Sequence, residues 1–150
     1  IVVDIDKNKL DQALHSGAAA GFEAADDQLS EKILKLSHQR GADLSFEVVG
    51  ITESVNTAIN VLRRGGRTVL IGNLSKSVSF PLQKVVTGEI SVLSSCAIRG
   101  EYEAVLSLIE KEVLNVKDQI SAVAPLSEGA AWFDRLKKPD NKFNKVILVP

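Results

Sequence analysis

Residues that commonly carry nucleophilic or metal chemistry are scarce in this sequence of 150 amino acids. It contains one cysteine, Cys96, two histidines and no methionine. One cysteine excludes an intrachain disulfide, and with two distant histidines it argues against a zinc site of three or four ligands. We therefore expect a reducing, cytoplasmic environment. Because a natural chain begins with methionine, we also expect that further residues precede Ile1.

Charge and hydropathy exclude further classes of function. Lys and Arg total 18 against 19 Asp and Glu, and a net charge of -1 gives no basic surface for nucleic acid or an anionic membrane. No apolar run approaches the roughly 20 residues that span a bilayer, and no secretory signal opens the chain. The motifs G-x-G-x-x-G, P-loop and H-E-x-x-H are absent. Both His15 and His38 lie at polar helix ends, where they complement the helix dipole and support no Ser-His-Asp triad.

The chain is organised around residues 43–50, an apolar run that ends at Gly50 and predicts a buried strand followed by a tight turn. Thr52 is then a candidate helix N-cap, before apolar residues at helical spacing: Val55, Ala58, Ile59 and Leu62. Gly65-Gly66 is expected to end this helix, and residues 67–71 form the next strand, which stops at Gly72. Two such units predict a parallel sheet whose carboxyl ends face one ligand-binding crevice.

The remaining segments alternate in the same way and predict a doubly wound α/β fold. Further strands are expected at residues 1–3, 19–22, 77–80 (a short edge strand), 90–95, 119–123 and 146–149. Helices are expected around Leu10, Ala13 and Leu14; after a cap at Asp26 or Asp27, with Leu29, Ile33 and Leu36 inward; at residues 83–87; and from Glu101, with Tyr102, Val105, Leu106 and Ile109 on one face. Ser127 is expected to cap a last helix with Ala130, Phe133 and Leu136 inward and Trp132 in the core or an interface, followed by a polar break at residues 137–142.

Two candidate functional positions follow from the residues alone. Asp4 and Asp6 end the first strand, and two interpretations stay open. They are either a solvated strand end that favours the following helix N-terminus, or a carboxylate that hydrogen-bonds both hydroxyls of an adenosine ribose. Cys96 follows a strand of the predicted crevice without an activating base, so we interpret it as a small pocket wall.

Five segments resemble, in the same order, parts of the medium-chain zinc-dependent alcohol and polyol dehydrogenases. They are residues 3–10 (the second strand and following helix), 16–18, 41–50 (the fourth-strand signature), 65–72 (the fifth) and 144–147. The resemblance implies a Rossmann-like doubly wound parallel sheet that lacks its first strand and glycine-rich turn, so that residues 1–150 form a partial dinucleotide-binding domain. The catalytic zinc domain would also lie upstream. Because the absent strand is central, we expect the isolated chain to fold poorly and to be inactive.

The resemblance assigns roles on the adenosine side of the cofactor. Asp4 would hold the ribose hydroxyls, which favours NAD over NADP because a 2′-phosphate would meet a carboxylate. Ile5 would flank the adenine, and Lys9 would reach the ribose. Lys145 occupies a position where the family often has a basic residue near the pyrophosphate.

Further roles concern the nicotinamide half. The resemblance places Val48, Val49 and Gly50 under the nicotinamide-side ribose, the backbone of Ile71, Gly72 and Asn73 at the nicotinamide end, and Ser95 and Cys96 near the carboxamide. Residues Val78, Ser79 and Phe80 match a strand that pairs with its twin across a two-fold axis in relatives, which implies a homodimer or homotetramer.

The function implied is the NAD-dependent oxidation of a secondary alcohol of a polyol or sugar, with zinc bound elsewhere in the complete protein. Residues 99–102 and 122–133 look closest to the polyol and sugar branch. Alternatives within the family are a threonine-type or simple alcohol dehydrogenase and a zinc-free quinone reductase relative. Outside it, a non-catalytic nucleotide-sensing module and a domain that binds nothing also stay open.

Overall fold

Parallel strands and helices alternate along the chain in the computed structural model, which describes residues 1–138 and 141–150. Part of the predicted polar break, residues 139–140, therefore lies outside the described residues. The chain divides into two units, Ile1–Ala97 and Ile98–Pro150. The first contains β1 (Val2–Asp4), α1 (Lys7–His15), β2 (Gly21–Glu23), α2 (Leu29–Leu36), β3 (Ala42–Glu47), α3 (Thr52–Asn60), β4 (Leu62–Leu70), α4 (Leu82–Thr87) and β5 (Ser91–Ser94). The second contains α5 (Tyr102–Glu110), β6 (Ile120–Pro125), α6 (Gly129–Leu136) and β7 (Lys145–Val149), with 3-10 turns at Lys117–Gln119 and Leu126–Glu128.

The strand pairs among the described residues are all parallel, as predicted, and the first unit contains two separate sheets. β1 pairs with β2, and β3, β4 and β5 pair in that order. β1 and β3 are not hydrogen-bonded to each other, so each has one edge without a strand partner in the described part of the chain. Helix α2 links the two sheets, because its buried Leu29 and Ile33 belong to a cluster that includes Val3, Phe22 and Ala42.

The main core of the first unit lies between α3 and the three-stranded sheet. Val55 and Ile59 of α3 pack with Leu62 and Ile90, and Ile59 is completely buried. The predicted inward face of this helix is thus confirmed for Val55, Ala58 and Ile59. The opposite face of β3 is open: Leu44 and Phe46, expected to be buried, are 41% and 61% exposed, since no described part of the first unit covers them.

Strand β4 begins five residues earlier than predicted. Helix α3 ends at Asn60, so Leu62 lies in the strand, and Gly65-Gly66 is part of the strand instead of ending the helix. The pairing shifts from Ala42 opposite Leu62 to Leu44 opposite Arg67, which leaves extra residues in a bulge of β4. Gly65 has φ of +68° there, and its N–H donates to the carbonyl of Gly88 at 2.8 Å.

The predicted helix caps were wrong by one or two residues. The N-caps of α2, α3 and α6 are Gln28, Ile51 and Glu128, in place of Asp26 or Asp27, Thr52 and Ser127. Asp26 instead accepts a hydrogen bond from the Gln28 N–H in the preceding turn. Ser127 lies within a 3-10 turn that precedes its helix.

The predicted edge strand at residues 77–80 was also wrong, since it has no ladder partner in the described residues. The backbone polar groups of this segment are instead hydrogen-bonded to side chains of α3. The Ser79 N–H donates to Thr52 Oγ1 at 3.1 Å, and Asn56 Nδ2 donates to the Ser79 carbonyl at 3.3 Å. This segment is therefore fixed against α3 without being part of a sheet.

In the second unit, β6 and β7 pair in parallel, and Trp132 of α6 is buried as predicted. Its ring meets Phe143 edge to face, with centroids 5.2 Å apart, and the Arg135 guanidinium lies 4.7 Å from its centroid. The predicted inward face of α6 was wrong for Ala130, which is exposed, and for Phe133, which is 64% exposed. Trp132 occupies the buried side of the helix, which turns these neighbours outward. Helix α5 has no buried residue, so its predicted apolar face is uncovered.

Candidate functional site

The carboxyl ends of β3 and β4 continue into two turns that are joined backbone to backbone. The N–H groups of Ile71 and Gly72 donate to the Glu47 carbonyl at 2.8 and 3.1 Å. Further along, the Leu74 N–H donates to the Val49 carbonyl at 3.3 Å, and the Ser75 N–H donates to the Gly50 carbonyl at 2.9 Å. We call residues 48–50 and 71–75 the paired turns. They contain six of the predicted site residues and bring them together at one edge of the sheet.

Glycine is required at the contact between the paired turns. Gly50 has φ of +84°, a conformation that side chains disfavour, and a Cβ atom there would lie 2.5 Å from the Asn73 nitrogen. A Cβ atom on Gly72 would lie 2.2 Å from the Gly50 nitrogen. The glycines that the sequence pattern singled out are therefore needed for close approach of two backbones.

Glu47 is a residue of this site that the sequence-based assignment missed. Its side chain is only 3% exposed, and Oε1 accepts hydrogen bonds from the N–H groups of Val49 and Gly50, both at 2.8 Å. The second oxygen, Oε2, is buried without a hydrogen-bond partner in the described structure. An acid inside an apolar run directly before a turn was the available signal, because buried carboxylates are rare unless they are paired.

Apolar side chains are exposed at the carboxyl ends of three strands. Val48 and Val49 follow β3, Ile71 follows β4, and Ile5 follows β1, with exposed fractions of 65%, 44%, 46% and 85%. Exposed apolar side chains with backbone polar groups beside them are typical of sites for flat aromatic rings, which need apolar contact on their faces and hydrogen bonds at their edges. Adenine and nicotinamide meet this description.

The two acids after β1 have separate local roles. Asp6 is the N-cap of α1, where its Oδ1 accepts from the Asn8 N–H at 2.8 Å. Asp4 ends β1, and its Oδ1 accepts from the Asp6 N–H at 2.9 Å, which fixes the turn between strand and helix. The helix-terminus interpretation is thus confirmed for Asp6, and Asp4 is held at the strand end with its side chain partly exposed. Lys9 is exposed on α1.

The remaining predicted site residues lie in two places. Ser95 and Cys96 follow β5 and are exposed, and the Ser95 N–H donates to the Leu70 carbonyl at 3.0 Å, which sets this end of β5 beside the second turn. Lys145 is the first residue of β7, which belongs to the second unit. The structure therefore groups Ser95 and Cys96 with the paired turns, and the role of Lys145 stays a prediction.

Solvent-exposed ion pairs lie at the other ends of the strands. Asp43 near the start of β3 contacts Arg63 and Arg40, and the Arg63 hydrogen bond lowers the pKa of the Asp43 carboxyl below its usual 3.8. Arg64 pairs with Glu89, which lowers the pKa of the Glu89 carboxyl and raises that of the guanidinium. These residues lie at the amino ends of the strands and are separate from the paired turns.

Other observations limit the chemistry of the described residues. An open cavity of about 530 Å³ lies between α1 and β2, lined by Leu10, Leu14 and Phe22 among others, and it contains none of the predicted site residues. In residues 1–138 and 141–150, no cluster of three or more His, Cys, Asp or Glu side chains could hold a metal ion. The described residues therefore do not offer a zinc site. No helix in this part of the chain is long and apolar enough to cross a membrane.

Comparison with known proteins identifies the family. Residues 1–111 match the family described as zinc-binding dehydrogenase. The chain belongs to this family. The resemblance seen in the sequence is thereby confirmed, as is the Rossmann-like α/β fold. The match covers β1 to α5, including the paired turns.

Curated and solved relatives agree with this membership. The chain is 32% identical over 142 residues to D-xylulose reductase A from Aspergillus niger, an alignment that covers 91% of this chain and 40% of the relative. It is 26% identical to the structure of L-idonate 5-dehydrogenase from Escherichia coli K-12, with a TM-score of 0.85 over 100% of this chain and 42% of that chain. An alcohol dehydrogenase from Escherichia coli CFT073, solved with NADH, shares the fold at 18% identity and a TM-score of 0.88, covering 99% and 44%. The chain spans about 40% of the length of the curated relatives that it matches.

Proposed function

We propose that residues 1–150 are part of the dinucleotide-binding domain of a longer, cytoplasmic NAD-dependent dehydrogenase. We call this longer protein the parent enzyme, and propose that it oxidises a secondary alcohol of a polyol or sugar. The names of the relatives, a xylulose reductase and an idonate dehydrogenase, support a polyol or sugar substrate over a simple alcohol, threonine or a quinone. Membership of a dehydrogenase family supports an enzyme over a nucleotide-sensing module.

The unpaired strand edges support a partial domain. β1 pairs only with β2, and β3 pairs only with β4, among the described strands. In a sheet of order 3-2-1-4-5-6, the first strand lies between the positions of β1 and β3. We therefore propose that the parent enzyme supplies this strand, the glycine-rich phosphate turn and the zinc-binding catalytic domain. The exposed Leu44 and Phe46 would be covered in the same way.

The observation that carries the cofactor assignment is the combination, at the carboxyl ends of the strands, of an acid, exposed apolar side chains and the hydrogen-bonded paired turns. With Oδ1 of Asp4 fixed by the Asp6 N–H, its other carboxylate oxygen is available for the adenosine ribose. Ile5 would contact the adenine, and Lys9 the ribose. Lys145 would contribute positive charge toward the pyrophosphate.

The paired turns would orient the nicotinamide half. Val48, Val49 and Gly50 would support its ribose, while the backbone of residues 71–73 and the side chains of Ser95 and Cys96 would contact the ring and its carboxamide. NAD supplies a ring carbon that accepts hydride from the alcohol. The residues of this chain would hold and orient that ring and exclude water from one of its faces. Residues 1–138 and 141–150 offer no zinc site, so the zinc would be held by another part of the parent enzyme.

We also propose that the parent enzyme is a homodimer or homotetramer that uses Val78, Ser79 and Phe80. Residues 77–80 do not pair with another described strand of the same chain. The side chain of Phe80 is 43% exposed, which leaves it accessible to a second copy. Pairing with the same segment of a second copy about a two-fold axis would give an isologous interface. The two hydrogen bonds between Ser79 and α3, one donated by the Ser79 N–H and one accepted by its carbonyl, already hold this segment in place, which lowers the entropy lost on association.

Calorimetry on the parent enzyme tests the cofactor assignment. We expect the wild type to bind NAD in preference to NADP, and Asp4→Ala to lose most of this preference because no carboxylate then meets the ribose. Asp11→Ala removes an exposed acid of α1 and is the matched control, which should bind NAD as the wild type does. Equal binding of both nucleotides by the wild type, or no binding, would contradict the proposed function.

A further inference from the structure

We propose that Glu47 is a positioning residue that sets the paired turns under the nicotinamide half of the cofactor. This inference rests on the proposed function, because it specifies how one part of the proposed site is held in shape. Glu47 would act through the backbone of its neighbours and would not itself touch the cofactor.

The hydrogen bonds of Glu47 reach both turns from one residue. Its side-chain Oε1 accepts from the Val49 and Gly50 N–H groups at 2.8 Å, which closes the first turn. Its backbone carbonyl accepts from the Ile71 and Gly72 N–H groups at 2.8 and 3.1 Å, which starts the second turn. Four N–H groups of the paired turns therefore converge on a single residue at the end of β3.

Burial gives these hydrogen bonds their importance. Glu47 is 3% exposed and Gly50 is also buried, so water has little access to replace a lost acceptor. A buried backbone N–H without a partner is costly, and the turn would move to recover one. Gly50 and Gly72 are in backbone contact, so such a movement of the first turn would carry the second turn with it.

The position of Glu47 predicts an effect on one half of the cofactor. The paired turns lie at the ends of β3 and β4, whereas Asp4, the proposed ribose residue, lies at the end of β1 in the other sheet of the first unit. Loss of the Oε1 acceptor should therefore weaken binding of NADH and leave binding of AMP, which has only the adenosine half, nearly unchanged. Asp4→Ala should weaken both ligands.

A pair of variants of similar size isolates the acceptor. Glu47→Gln keeps one side-chain carbonyl oxygen for the two N–H groups, and Glu47→Met fills similar space with none. Ile59→Val is the control for a loss of core stability away from the turns, since Ile59 is completely buried between α3 and the sheet. In the parent enzyme, we expect Glu47→Met to weaken NADH at least about ten-fold with AMP within two-fold. Glu47→Gln should stay within about three-fold for both ligands, and Ile59→Val should match the wild type.

Hydrogen exchange gives a readout that needs no cofactor. In the wild-type parent enzyme, the amides of Val49, Gly50, Ile71 and Gly72 should exchange at least about a hundred-fold more slowly than in an unstructured chain. Glu47→Met should release the Val49 and Gly50 amides, and Glu47→Gln should not. Because the first comparison uses the wild type alone, it stays decisive even where Glu47→Met does not fold.

Several results would overturn the role of Glu47. These are fast exchange of the four wild-type amides, NADH binding by Glu47→Met equal to the wild type, or an equal loss of NADH and AMP, which is the sign of general destabilisation. Glu47→Gln behaving like Glu47→Met would equally exclude the acceptor role. A wild type that binds neither NADH nor AMP would instead refute the proposed function, and the exchange rates would still decide whether Glu47 holds the turns.

Discussion

Gly50 and Gly72 lie in direct backbone contact, so that a Cβ atom on Gly72 would be 2.2 Å from the Gly50 nitrogen and 2.3 Å from the Val49 carbonyl carbon. The contact joins two turns whose glycines, at positions 50 and 72, are 22 positions apart in the chain. No flexible side chain takes part in it, and relief of a clash would require movement of the backbone itself. A backbone displacement of one turn at this contact would therefore displace the other turn as well.

Gly72→Ala should destabilise the parent enzyme by about 1–3 kcal/mol, the usual cost of overpacking. Gly21→Ala is the matched control, because the nearest atom to a Cβ there is Leu10 Cβ at an ordinary 3.4 Å. Urea denaturation followed by circular dichroism would measure both free energies of unfolding. A Gly72→Ala variant as stable as Gly21→Ala would show that the turns adjust freely.

Trp132→Ala should cost about 3–5 kcal/mol of unfolding free energy, because it empties the buried contact with Phe143. Phe133→Ala, on the exposed side of the same helix, should change stability by less than about 0.5 kcal/mol. Chemical denaturation of both variants distinguishes the observed packing of α6 from the packing predicted from its sequence. A larger loss of unfolding free energy in Phe133→Ala than in Trp132→Ala would contradict the observed packing and favour the inward face predicted from the sequence.

The Asp43 carboxylate should make stability depend on pH in the acid range. Arg63 and Arg40 lower its pKa below 3.8 in the folded state, so the unfolded chain binds its proton first as the pH falls. The stabilisation is therefore fully present above about pH 4 and lost as the pH falls through the lower, folded pKa. Between about pH 7 and pH 3, Asp43→Asn should lose less stability than the wild type. Arg63→Gln should reproduce this result, whereas identical acid dependence in all three proteins would exclude the ion pair as its source.

Phe80→Asp should convert the parent enzyme to a smaller oligomer, since it buries a charge in the proposed two-fold interface. Leu74→Asp is the control, because Leu74 belongs to the paired turns, outside residues 78–80, and its apolar side chain is 76% exposed. Light scattering after gel filtration would measure both masses. Dissociation by Leu74→Asp alone, or by neither variant, would place the interface elsewhere.

The element order and the parallel pairing followed from the sequence, because apolar runs closed by Gly50 and Gly72 define where buried strands stop. The face of α3 was equally clear, since Val55, Ala58 and Ile59 recur at the helical period. Helix caps and the start of β4 were not predictable in this way. They depend on tertiary hydrogen bonds, such as the one from the Ser79 N–H to Thr52 Oγ1.

The candidate site was only partly visible in the sequence. The turn residues were named from the pattern, but the role of Glu47 was hidden, because its two N–H partners become apparent only when the turn is closed. The predicted packing of α6 was wrong because helical spacing alone does not distinguish whether Phe133 or Trp132 is buried in the core. The contact with Phe143, from beyond the helix, decides in favour of Trp132.

The paired turns also bear on how such a site can change during evolution. Their shape is set by main-chain groups, two glycines and one buried acid, and their side chains at Val48, Val49, Ile71 and Asn73 are exposed and take no part in holding it. The side chains at these four positions can therefore be substituted while the backbone of the paired turns keeps its conformation. A lineage could explore new cofactor or substrate preferences there at little cost in stability, and a directed-evolution library has the same opportunity.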